Sequence, residues 1–346
     1  MKAFTSLCAA ALLCVGTATA ETVLIHGEAG PNRGARAAAL QWYADTLEAR
    51  SGGDMRMDIQ WGGALFKAQA AMQGVRDGVA DMGTVIAVYY PQELVGYGIA
   101  DLPLDNPDAW VGMRATDELM RSSPPIQQQL SDMGLVYIGT FTTSAVHIGC
   151  KDGAIRTADD ISGKKVRGVG AYGKVFGEMG ANMVNMSIYE AYQGLDTGLI
   201  DCSQGYSYAV AALKQAEVMD SYTLLDWGQV GGVGIFMNKD VHDGLTPDQQ
   251  AMLAEVGIGM ADEFGRLITG ANANAVAAMQ EAGVEVIDLP EAERARLVEA
   301  GASYIDAWVE SASATGLPGD ALLARYRELI AKYEAERDEQ GYPWDR

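Results

Sequence analysis

Strand-type and helix-type runs alternate along most of this chain, and that alternation constrains its fold more than any other feature. Residues 22–26 (TVLIH) form a short β-type run ended by Gly27. Residues 33–51 then carry Ala37, Leu40, Tyr43 and Leu47 at helical spacing, stopped by Gly52 and Gly53. Residues 55–60 alternate like a strand, 66–77 read as a helix, and 81–88 (DMGTVIAV) as a buried strand. A β-α-β-α-β order favours an α/β sheet with helices on its faces. Further strands are expected over 135–140, 145–149, 165–167, 199–203 and 231–237, and further helices over 109–133, 172–179, 188–196 and 208–217. From Thr246, followed by a Pro247 that suits a helix start, the pattern is helical almost to the end, broken at 284–289. A length of 346 residues suits about two domains. No long linker separates the two α/β halves, so they are expected to sit as two lobes in contact, where ligand clefts tend to form. No internal repeat of roughly 20–50 residues is evident.

The first twenty residues read as an address. Lys2 precedes an apolar stretch over 3–15, and Ala18, Thr19 and Ala20 follow as a small-residue cleavage site. This is the pattern of a secretory signal peptide cut after Ala20; a short anchor or a buried N-terminal helix is the alternative. The stretch is shorter than the ~20 apolar residues needed to span a bilayer, and no later stretch is long and apolar enough, so no direct membrane insertion is expected. Cys8 and Cys14 fall inside the signal, which leaves Cys150 and Cys202. In an oxidising compartment a lone pair has one possible connectivity, so a Cys150–Cys202 disulfide is expected, the alternative being two buried free thiols. It would close a loop of about fifty residues, worth roughly 3–4 kcal/mol. The net charge is −21, and −22 once Lys2 is removed with the signal. Such an acidic chain is not expected to bind nucleic acid, whose partners are basic.

Catalytic and metal chemistry finds little support. His26, His147 and His242 are scattered, without zinc-type spacing, so no metal is expected. His26 and His147 lie in strands and are candidate cleft residues, because strand ends border binding crevices. Ser203 lacks the glycine two positions before it that a nucleophile elbow requires. Gly168, Gly170 and Gly173 match the G-x-G-x-x-G pattern of dinucleotide sites. The run before them carries Lys164, Lys165 and Arg167 in place of a continuous apolar strand, the motif sits mid-chain, and nicotinamide cofactors are scarce outside the cell. No cofactor is expected. The same turn exposes backbone N–H groups at a helix start beside Arg167, a general anion-binding arrangement.

That segment also carries a resemblance. Residues 159–167 (DDISGKKVR) are similar to the strand segment of TRAP-transporter periplasmic solute-binding proteins of the dicarboxylate, DctP-like type. Residues 179–186 (MGANMVNM) and 188–201 (IYEAYQGLDTGLID) resemble two downstream stretches of that family, and 61–65 (WGGAL) and 74–83 (GVRDGVADMG) two upstream ones. The likeness is collinear over about 21–340. It implies an α/β, two-lobed periplasmic binding protein, type II-like, with hinge strands and a ligand cleft between the lobes. Lobe 1 would comprise 21–140 plus about 229–272, and lobe 2 141–228 plus about 273–346, after a signal peptide over 1–20. The resemblance further implies a periplasmic location, no enzymatic activity, and delivery of an organic carboxylate to a permease with small and large membrane subunits.

Arg167 matches the family arginine that pairs with the ligand carboxylate, and a guanidinium fork suits that partner. Some members carry a second arginine near position 140; here the position is Phe141, which would offer apolar area in place of a second charge. Tyr89, Tyr206, Tyr208, Trp227 and Phe236 are further aromatic candidates, and Tyr189 lies in the matching helix segment. Arg167 and the turn at Gly170 belong to one lobe; His26, Glu28, Asn32 and Thr84 would complete the clamp from the other. Together these point to a monocarboxylate with an apolar or aromatic body. An exported enzyme acting on a small organic acid, or a ligand-sensing periplasmic partner of a membrane receptor, are the alternative functions.

Overall fold

The computed structural model describes residues 21–346; the signal segment and its cleavage after Ala20 lie outside the described residues. Among the described residues eleven strands form two sheets. They are β1 (Thr22–Gly27), β2 (Met55–Gln60), β3 (Met82–Ile86), β4 (Leu135–Phe141), β5 (Ala145–Cys150) and β6 (Lys165–Arg167), then β7 (Asn182–Val184), β8 (Cys202–Gly205), β9 (Ser221–Gln229), β10 (Val233–Asn238) and β11 (Glu285–Asp288). The first sheet runs β2-β1-β3-β10-β4 and the second β11-β9-β5-β8-β6-β7. In each, three parallel strands are followed by an antiparallel strand that arrives directly from the other sheet: β10 in the first, β5 in the second. The chain therefore crosses directly between sheets at 142–144 and at 230–232, and returns to the second sheet for β11 through a long helix.

The two sheets are built by the same local device. A helix (Ala71–Arg76) leads through Gly78, at φ +72°, into β3; another (Ala191–Asp196) leads through Gly198, at φ +71°, into β8. Only glycine adopts that conformation without strain. The aspartate after each turn takes the same role. Asp81 Oδ2 accepts the Ile25 N–H at 2.7 Å, and Asp201 Oδ2 accepts the Lys165 N–H at 2.8 Å.

The crossing segments are bonded to each other. Thr143 N–H donates to the Val230 carbonyl at 3.0 Å, Val230 N–H donates to the Thr143 hydroxyl at 2.9 Å, and the Thr142 hydroxyl donates to Gln229 Oε1 at 2.5 Å. One helix of 35 residues, Pro247–Glu281, spans both halves. It opens with a reciprocal cap between Thr246 and Gln249, packs on β4 and the helix Gly34–Arg50, and then on the helix Ser207–Ala212. Its approach to β4 requires Gly257, where a Cβ would lie 2.0 Å from the Ile138 carbonyl oxygen. The sequence division places everything after about 273 with the second lobe. The last helix, Gly319–Gln340, instead packs on Ala109–Ser122, with the Tyr326 and Thr116 hydroxyls 3.0 Å apart.

Beside the second crossing, buried Asp101 accepts the Gly232 N–H on Oδ1 at 2.7 Å, while its Oδ2 has no partner. No ion pair holds it among the described residues, and burial pushes its carboxyl up to about 7, against a smaller opposing pull from the Gly232 N–H. The native state thus binds a proton that the unfolded chain has released above pH ~4, so this group's contribution to stability falls as pH rises through about 4 to 7. Asp101→Asn keeps the Oδ1 acceptor and removes the charge. The variant is expected to gain on wild type progressively from pH 4 to pH 8, reaching on the order of 2–4 kcal/mol. Denaturant unfolding at several pH values checks this, and a pH-independent difference overturns it.

Candidate ligand-binding cleft

The parallel strands of both sheets deliver their C-terminal ends to one place. Arg167 is the last residue of β6, Tyr206 follows β8, Glu28 follows β1, and Val88 and Tyr89 follow β3. Ligands of open α/β sheets bind outside such strand ends. A cleft with about 680 Å³ of space between its atoms, including its open mouth, lies between these residues. Its apolar walls include Trp61, Ile86, Val169, Ile188, Leu213 and Val233.

Arg167 is 1 % exposed. Its Nε donates to the Met186 carbonyl at 3.2 Å, Nη1 to the Gln204 carbonyl at 3.0 Å, and Nη2 to the Tyr89 hydroxyl at 3.4 Å. A guanidinium has five N–H donors, so one on each terminal nitrogen is left over. Among the described residues Arg167 has no carboxylate partner. An unpaired buried charge is costly. The glycines after it serve packing. A Cβ on Gly173 would lie 2.7 Å from the Gly168 carbonyl carbon, so this pair lets the helix Gly170–Glu178 close onto β6.

A second polar group lies elsewhere on the wall. Glu28, 1 % exposed, accepts the Gly30 N–H at 2.5 Å and Arg36 Nη2 at 3.3 Å, both on Oε1. Arg36 also donates to the Tyr189 hydroxyl across the cleft. Burial opposes the Arg36 charge, but Tyr189, Glu28 and Tyr208 outweigh it and hold the guanidinium above its ordinary value. Burial raises the Tyr189 and Tyr206 phenols, with Arg36 and Arg167 respectively pulling them back.

Of the residues singled out from the sequence, Arg167, Glu28, Tyr89, Tyr189, Tyr206 and Tyr208 line this cleft together. The others do not. Phe141 turns into the core, its ring edge-on to Phe264 at 5.3 Å. Trp227 packs on Tyr172 at 4.8 Å, and Phe236 on Tyr97 at 5.1 Å. His26 Nε2 and the Thr84 hydroxyl bond each other at 3.2 Å inside the first sheet. His147 packs against Tyr222 at 5.5 Å. Burial pulls His26 down to about 4, with Glu28 raising it slightly, and His147 down to about 3, so both are neutral near pH 7. Asn32 is exposed, and Gly170 lines flanking grooves against Val88. Sequence reasoning missed Arg36, Trp61, Val88, Thr143 and Ile188. The signal for Arg36 was its place in the first turn of the helix that follows a strand end.

Two sheets joined by paired crossings, with an arginine-bearing cleft at their strand ends, define a solute-binding protein. The chain belongs to the bacterial extracellular solute-binding protein family 7, the DctP family, whose model it matches over residues 27–311. TRAP solute-binding proteins of this kind are periplasmic, bind small organic acids and work with TRAP membrane permeases. The 2,3-diketo-L-gulonate-binding periplasmic protein YiaO of Escherichia coli is 26 % identical over 72 % of this chain and 76 % of its own. A TRAP solute-binding protein from Rhodoferax ferrireducens, solved with copurified benzoate, aligns with a TM-score of 0.82 at 23 % identity, over 91 % of this chain and 99 % of its own. A marine-metagenome TRAP protein specific for aromatic acid ligands, solved with 3-hydroxybenzoate, aligns at 0.81 and 24 % identity, over 91 % and 99 %. Among the described residues no helix is long and apolar enough to cross a membrane. The Cys150–Cys202 disulfide is formed.

Proposed function

We propose that this chain is the periplasmic receptor of a TRAP transporter for a monocarboxylate with an aromatic or apolar body, which it delivers to a permease of small and large membrane subunits. The observation that carries the reading is Arg167: a buried cation with two idle N–H groups and no carboxylate of its own, in a cleft whose other walls are largely apolar. Arg36, the other guanidinium well inside, is already matched by Glu28. Arg33 is exposed and donates to the Ala212 carbonyl. Arg167 is thus the buried cation of the cleft without a carboxylate among the described residues, which favours a ligand with one carboxylate deep in the site. The aromatic acids bound by the two aligned structures are consistent with this choice.

Each lobe, built on one sheet and hinged at the crossings, holds part of the cleft. The ligand favours closure through contacts to both. The groups bonded to Arg167 are two backbone carbonyls and a tyrosine hydroxyl, which suits holding an acid and releasing it unchanged.

The test is calorimetry and thermal shift with benzoate, phenylacetate and mandelate against succinate, malate and glucuronate. One or more aromatic acids should bind one-to-one without turnover and, at about a hundredfold excess over Kd, stabilise the fold by about 2.7 kcal/mol. Tight succinate or malate binding, with no response to the aromatic acids, overturns the reading.

A further inference from the structure

Glu28 presents one oxygen that the fold does not use. Its Oε1 holds the Gly30 N–H and Arg36, whereas its Oε2 is buried with no hydrogen-bond partner among the described residues. Other buried polar atoms without partners occur, on Asp101, Trp227 and His26 for example, but none of those residues lines the main cleft. Glu28 does; its neighbours are Arg36, Tyr189 and Tyr208, while those of Arg167 are Tyr89 and Tyr206, and the two groups adjoin where Tyr89 faces Tyr189 and Tyr206 faces Tyr208.

We infer that Glu28 is a specificity-determining residue that selects acids bearing a hydrogen-bond donor, a hydroxyl or an N–H, on the part of the molecule away from the carboxylate. This deepens the aromatic-acid reading and rests on it. An ionised carboxylate can only accept hydrogen bonds. Its idle oxygen is costly while unpaired, so a ligand that offers a proton relieves the cost and one that offers nothing leaves it in place. A site built to pair with a donor rejects the analogue that lacks one far more strongly than an apolar pocket rejects an extra methyl. The same oxygen repels a second carboxylate, which explains from the protein's side why a monocarboxylate fits. Arg36 stays with Oε1, so the pair is not broken by binding.

The experiment compares benzoate with its 3- and 4-hydroxy, 3- and 4-amino, and 3- and 4-methoxy derivatives, and with benzene-1,3-dicarboxylate, by calorimetry. On the wild type, at least one donor-bearing isomer should bind about tenfold or more tighter than benzoate and than the methoxy compound at the same position, and the dicarboxylate should not bind. The hydroxy and amino arms separate the two donor types. In Glu28→Gln the amide oxygen keeps the Gly30 and Arg36 bonds and an N–H takes the idle position. In that variant the donor-over-methoxy preference should fall by about tenfold, each substituted acid being compared with benzoate on the same protein. Equal binding of all substituted benzoates by the wild type overturns the inference even if the variant does not fold. So does an unchanged preference in a folded variant. Failure of every compound, benzoate included, is a different result: it removes the aromatic-acid reading itself.

Discussion

Replacing Arg167 with alanine is expected to raise the dissociation constant of the bound acid roughly 30- to several-thousand-fold while the chain stays folded. The size follows from truncating one partner of a buried charge pair, which costs about 2–5 kcal/mol because the carboxylate is left in the cleft without its counter-charge. The folded state should survive for a separate reason. Without ligand, Arg167 is a buried cation with only neutral partners, the Met186 and Gln204 carbonyls and the Tyr89 hydroxyl. Removing it costs those oxygens a donor, about 1–3 kcal/mol each at most, and relieves the desolvation of a charge, which is of similar size or larger. The melting temperature without ligand should therefore move little, and the shift caused by ligand should vanish. Arg167→Lys separates charge from shape. It retains a cation but not the planar fork, so binding should weaken yet remain measurable. Calorimetry on the three proteins with the acid that stabilises wild type most decides the matter. Unchanged affinity in the alanine variant removes Arg167 from the site.

How far the cleft could be read in advance depended on what each residue does for the fold. Arg167 was legible because its segment resembles the family strand whose arginine pairs with the ligand carboxylate, and because it stands beside a glycine turn at a helix start. Tyr89, Tyr206 and Tyr208 were legible only as aromatics, a property that Trp227 and Phe236 share, and Tyr189 only through its place in a family-like helix segment. Position along the chain separates the two sets: the cleft tyrosines lie past the strand ends or in short helices, whereas Phe141, Trp227 and Phe236 lie within strands and meet neighbouring rings. The longest strand of the second sheet, β9, was not foreseen. Eight of its nine residues are buried or half-buried, so the alternation that marks a one-faced strand is absent, and Asp226 and Gly228 take positive φ within it. The duplicated turn at Gly78 and Gly198 escaped notice as a repeat because few letters are shared. What recurs is a backbone conformation and one aspartate hydrogen bond. Arg36 was passed over because an arginine in a helix reads as solvated; only the fold brings Glu28 and Tyr189 to it.

The second large effect concerns the Cys150–Cys202 bond. The two cysteines stand opposite each other on the antiparallel strands β5 and β8, both buried, and are separated by 52 positions. The loop between them contains β6 with Arg167, the helix Gly170–Glu178, β7 and the turn at Gly198, which is most of the second sheet's ligand-facing half. Closing a loop of that length restricts the unfolded chain by roughly 3–4 kcal/mol in the chain-entropy model. In the native state the bond has less to do, because β5 pairs with β8, and β8 with β6, through backbone ladders of their own. Paired Cys150→Ser and Cys202→Ser substitutions should therefore lower the melting temperature by about 5–10 °C, yet keep ligand affinity within a few-fold at temperatures where the variant is folded. If the halves melt separately, only the transition of the second sheet should shift. Reducing wild type with dithiothreitol should reproduce the change, and the serine variant should not respond further. A melt indifferent to both treatments would show that the cross-link contributes nothing to stability. Loss of binding in a fully folded serine variant would show that the bond, and not the strand ladder, holds Arg167 in place.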